Sequence, residues 1–186
     1  MNLFVLDKDP VKAAQLQCDK HIVKMIVESA QMLSTTHRIL DGNLEHRKSV
    51  SGKRTVKYYC HPNSNMEKVL YRAVHFGHPC TIWTMESVQN YMWHYEHWCA
   101  LCKEYEYRYG KIHSSFLLLE DILSSPPRNQ YNVGLTPFAL AMTNNPECMF
   151  EGDPVKSYQA FYQTKQERFK MTWSKRPVPS WFKEAA

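Results

Sequence analysis

Glycine is scarce in this chain, at six residues in 186, and a sandwich built from many tight turns would need more. No apolar run approaches the roughly 20 residues that span a bilayer. The opening MNLFVLDKDP holds too short an apolar stretch for a secretory signal. The expectation is a cytoplasmic protein with no membrane partner. Charge of one sign is not abundant either: 23 Lys and Arg face 18 Asp and Glu, a net +5. That bias permits a polyanionic partner without requiring one. Six cysteines at irregular spacings (Cys18, Cys60, Cys80, Cys99, Cys102, Cys148) do not resemble a disulfide framework and read as reduced thiols.

What is present is apolar and ring-rich. Hydrophobic residues make up 44% and aromatics 13%, enough for one real core in a single domain, 1–186. Asp9 and Pro10 supply an N-cap and a first-turn proline. CDKHIVKMIVESAQML, residues 18–33, follows with Asp19 as a second possible cap. At helical spacing Ile22, Ile26, Ala30 and Leu33 share one face, and His21, Lys24, Glu28 and Thr35 the other. Residues 37–57 break the periodicity with two glycines and six Lys or Arg, which predicts a basic, mobile loop.

A shorter helix is expected from a cap near Ser64 or Asn65 to Gly77. The longest runs over 78–110, with Val88, Tyr91, Tyr95, Trp98 and Cys102 recurring at spacings that bury them. SSFLLLEDIL makes another, halted by Pro126 and Pro127, and 126–152 reads as loop. Asp153 and Pro154 then start a helix to about Phe169. Residues 174–186 form an extended tail, pinned by Trp181 and Phe182. NLFVL is one short strand or a docked N-terminal segment. The predicted fold is an all-α single-domain bundle of five to six helices with a short extended N-terminal segment.

Three constellations bear on chemistry. HYEHWCALC holds His94, His97, Cys99 and Cys102, which invites zinc. The four cover about 200° of one helix, too wide for a single ion. A site would need His75, His78 or Cys80 folding back, so buried thiols and edge histidines are the preferred reading, with no metal and no cofactor. Basic residues gather twice, at Arg47, Lys48, Lys53 and Arg54 and at Lys165, Arg168, Lys170, Lys175 and Arg176; both groups suit phosphates. The third is the edge of Lys20, His21, Lys24 and Glu28. As plain surface it would be a solvated stripe with a Lys24–Glu28 pair. Yet Met25 and Met32 extend the apolar face to its border, and a carboxylate so placed can serve as an acid or base.

CDKHIVKM, NYMWHYEHWCALCKEYEYRYGK and KRPVPSWF resemble a widespread group of uncharacterised tailed-phage proteins over nearly the whole chain. More distantly, the layout is similar to the phage pyrimidine-dimer DNA glycosylases of the endonuclease V type. MNLFVL matches their N-terminal segment. His21 precedes Glu28 by seven residues, Gly77 and His78 open the long helix, and Arg168 lies eight residues before Arg176. The resemblance implies that an N-terminal α-amine attacks the sugar C1′ and forms an imine. Glu28 would be the assisting carboxylate, His21 a supporting residue and Arg168 a phosphate contact. Asn2 disfavours removal of Met1, so the implied amine is that of Met1, or of Lys24. Val27 and Gln31 stand where the family carries phosphate-binding arginines.

The expectation is thus a monomeric DNA N-glycosylase with lyase chemistry, acting on double-stranded DNA in an infected host cell. Its catalytic set is Glu28, His21, Met1 and Lys24. DNA contacts are expected at Lys20, Arg47, Lys48, Lys53, Arg54, His78, Arg168, Lys175 and Arg176. The alternatives are a nucleotide- or nucleoside-processing enzyme, and a non-catalytic protein that binds nucleic acid or a host factor.

Overall fold

Helix starts follow the local chemistry. In the structure, a computed structural model that describes residues 2–184, the Asp9 carboxylate accepts from the Val11 and Lys12 amides and starts α1 (Pro10–Gln15). Cys18, not Asp19, holds the N-cap position of α2 (Asp19–Leu40), without a side-chain cap bond. The Asp19 carboxylate instead accepts from Thr172 Oγ1, the Ser174 amide and hydroxyl, and Arg108 Nη1. Those bonds outweigh the upward push of its burial and hold its pKa below the ordinary value.

The all-α expectation is overturned. A β-hairpin, β1 (Asn43–Lys48) and β2 (Thr55–Cys60), pairs antiparallel from Asn43↔Cys60 to Lys48↔Thr55, so the fold is mixed, though dominated by helices. The expected basic loop at 37–57 is therefore the last turn of α2 followed by this hairpin. Thr55, Val56, Tyr58 and Tyr59 are strand formers, but six basic residues hide their pattern. Paired strands put Arg47 and Tyr58 on one face, where the guanidinium lies 3.6 Å from the ring centroid.

The next helix is also shorter than expected. α3 (Ser64–Val69), capped by Asn63, ends where Leu70 turns extended. The carbonyls of Glu67, Leu70 and Tyr71 are taken instead by the buried Arg38. The expected long helix is two, α4 (Pro79–Glu86) and α5 (Val88–Tyr109), broken at extended Ser87, whose hydroxyl accepts from the Asn90 amide. α6 (Ser114–Leu123) and α7 (Pro154–Gln163) complete seven α-helices among the described residues. The helix expected to reach Phe169 gives way to a 3-10 turn at Thr164–Glu167.

The core lies where α5 packs on α1, α2 and α4. Ile22, Ile26, Ala30 and Leu33 are fully buried in it, with Tyr91, Trp98 and Leu101 from α5. Leu3–Leu6 dock into it without forming a strand. Residues 174–184 hold no helix or strand, and Phe182 is buried with its ring 4.8 Å from Trp173. No helix of the described residues is long and apolar enough to cross a membrane.

Candidate functional site

The polar edge of α2 borders a hollow of about 460 Å³. Lys20, His21, Lys24 and Glu28 line one side, because residues three and four apart share a helix face. Asn2 and Phe4 of the docked segment form a second wall. Phe161 of α7 and Lys165, Arg168 and Phe169 just beyond it form the third. The sequence-predicted Lys20, His21, Lys24, Glu28 and Arg168 therefore meet in one place.

Charge in the hollow is mostly positive. Lys20, Lys24, Lys165 and Arg168 line it with the single carboxylate of Glu28, which lies 3.3 Å from Lys24 Nζ. Lys24 stands at the rim, with its side chain 60% exposed against 18% for Glu28. The cations lie along rings: Lys20 Nζ is 4.6 Å from the Phe169 centroid and Lys165 Nζ 3.4 Å from that of Phe161. Burial, and Arg168 beside it, hold the Lys165 amine below the ordinary lysine pKa.

His21 is buried, its Nδ1 2.7 Å from Tyr162 Oη and its ring stacked on Phe4 at 4.7 Å. Burial, then the neighbouring Lys24, Lys165 and Lys20, push its pKa down to about 3. It is a neutral imidazole at pH 7, suited to orienting neighbours and not to pairing with a phosphate as a cation. Phe4 is held at φ 47, a left-handed backbone that costs a bulky residue on the order of 1–3 kcal/mol. Rings of His21, Phe161 and Tyr162 fix it there. The strain lies in the wall of the hollow.

The other expected contacts lie elsewhere. Arg47, Lys48, Lys53 and Arg54 stand exposed on the hairpin and its turn. His78 caps α4, its Nδ1 accepting from the Cys80 amide. Lys175 donates to the Tyr107 carbonyl, and Arg176 makes a two-point pair with Glu104 at 2.9 and 2.8 Å, so both brace the tail against α5. Met1 falls outside the described residues. Lys165 is the functional candidate that the sequence hid; its only signal was membership of a basic cluster.

His94 and His97, expected at the edge of the long helix, are instead fully buried, with Cys102 also in the interior and Cys99 only partly buried. His94 Nδ1 bonds Thr84 Oγ1 at 2.8 Å, and His97 lies between Gln17 Nε2 and the Pro10 carbonyl. Burial raises the pKa of both Cys99 and Cys102. The grouping of metal-type donors found among the described residues is a different one, His37, Asp41 and His61. Comparison of the chain with protein-family models, with characterised proteins and with solved structures gives no match.

Proposed function

We propose that the hollow at Glu28 receives one nucleotide turned out of a DNA duplex and cleaves its N-glycosidic bond. The observation that carries this reading is a carboxylate 3.3 Å from the Lys24 amine, within a cationic, ring-lined recess that Lys165 also lines. Lys20 and Arg168 suit the flanking phosphates, and Phe161 and Phe169 offer faces to sugar or base. The exposed cations of the hairpin extend the phosphate-binding surface.

Chemistry follows from the amines. Lys165, whose pKa burial lowers, attacks C1′ through its unprotonated amine. The electron pair of the C1′–N bond leaves with the base, which takes up a proton. Glu28 stabilises positive charge on the sugar and accepts the proton that the amine sheds. Returning that proton to the ring oxygen opens the sugar and leaves an imine. His21 holds Phe4 and Tyr162 in place around the pocket.

Borohydride trapping on duplexes carrying damaged or modified bases tests the reading. A covalent adduct is expected with wild type, together with base release that falls about 10²-fold or more in Glu28→Gln. Base release from free nucleotides alone would move the substrate to the nucleotide pool. No adduct and no base release across the panel would end the proposal.

A further inference from the structure

The far end of α2 carries a second constellation. His37 in its last turn, Asp41 just beyond it and His61 after β2 each bring one donor atom to within 4.8 Å of the others. His37 and Asp41 are four apart, so they share a face. Both histidines are buried, at 2% and 5% exposure. His37 Nδ1 and His61 Nε2 are buried nitrogens without a hydrogen-bond partner. Such groups are rare in folded proteins and point to a ligand.

The surroundings orient His37 and Asp41. Tyr91 Oη donates to the Leu123 carbonyl at 2.9 Å, so its oxygen must accept from His37 Nε2–H at 2.8 Å. That puts the His37 proton on Nε2 and leaves the Nδ1 lone pair available. Asp41 is held by the Arg128 amide on one oxygen and the Asn129 amide on the other, at 2.9 and 3.0 Å. Each oxygen keeps a further lone pair. Outer bonds of this kind orient the ligands of metal centres.

We propose that His37 Nδ1, His61 Nε2 and the Asp41 carboxylate bind one divalent transition-metal ion, of the zinc, cobalt(II) or iron(II) class. Two imidazoles and one carboxylate suit those ions, whereas calcium and magnesium favour oxygen throughout. Three protein ligands leave coordination positions open to a recess of about 860 Å³. Asn63, Asn65, Arg128 and Asn129 line it, a setting for water or an oxyanion. In the ion-free chain His61 Nδ1 accepts from the Asn63 amide at 3.2 Å, which places its proton on Nε2. Ligation moves that proton to Nδ1 and gives up this one long bond, with no net proton exchanged.

The experiment is titration of the chelator-stripped, full-length protein with cobalt(II), followed by zinc competition. One equivalent is expected, with visible d–d bands and no near-ultraviolet thiolate band, which separates this site from the six cysteines. His37→Gln, His61→Gln and Asp41→Asn should each weaken binding by about tenfold or more. Far-UV circular dichroism checks the fold of each variant. Asp41 is only half-buried, so Asp41→Asn remains informative if a histidine variant fails to fold. Zinc should raise the Tm of wild type and raise that of Asp41→Asn by clearly less. Failure of stripped wild type to take up an ion, uptake through thiolates, or uptake unaltered in Asp41→Asn would overturn the site and leave a water-bridged polar pocket.

Discussion

Arg38 shows how much one side chain holds together. At 2% exposure it donates to the carbonyls of Tyr59, Glu67, Leu70 and Tyr71 and to the Glu67 carboxylate. A planar guanidinium can serve five acceptors on three segments, and an ammonium cannot. Arg38→Ala should cost about 3–5 kcal/mol, because it strands buried acceptors and a carboxylate, and Arg38→Lys should recover only part; urea unfolding measures both. At the hollow, Lys165→Met should abolish the borohydride adduct while Lys24→Met retains it, read by mass spectrometry of trapped protein. Helical spacing made Glu28, His21, Lys24 and Lys20 legible, since one helix positions all four. Lys165 was not, because its approach depends on α7 returning to the start of α2. His37 and His61 were hidden for the same reason, being joined only once the hairpin closes.

Elements depend on their ends. Ser87 closes α4 and caps α5, and a polar residue inside an apolar, helix-period run gave too weak a signal to divide 78–110. Ser87→Ala should cost about 1 kcal/mol by loss of that cap, seen as a lower midpoint in urea. Gly42 joins α2 to β1, and a Cβ there would sit 2.3 Å from the Arg38 carbonyl oxygen, so the connection is closed to any other residue. The hairpin was not legible because its charges outweigh its alternation, and the proposed DNA contact would use those charges. Lys53→Ala with Arg54→Ala should lower the salt dependence of DNA binding by about 0.9 per lost phosphate contact. Stability should stay within about 0.5 kcal/mol, since both side chains are exposed; binding isotherms at several salt concentrations test this.

For the whole molecule, buried histidines set the acid limit. Burial drives the pKa of His21 down to about 3 and those of His37 and His97 to about 4. Between the ordinary histidine value of about 6.5 and those values, the unfolded chain binds more protons than the folded one. Stability should therefore fall as pH drops from 6.5 towards 4, and His21→Gln should flatten the slope. Glu67 adds to this at lower pH: burial opposes ionisation, but Tyr58, the His61 amide and Arg38 prevail and hold it at about 2. Its stabilisation is complete above about 4.5 and is lost towards 2. Thermal melts from about pH 2 to 7 resolve the two ranges.

α2 runs unbroken from Asp19 to Leu40, so it acts as a ruler. Lys24 and His37 are thirteen residues apart, about 20 Å along the axis at 1.5 Å per residue. No hinge between them can change that spacing. A duplex laid parallel to the rod would meet Lys24 and His37 about six base pairs apart, at roughly 3.4 Å per step.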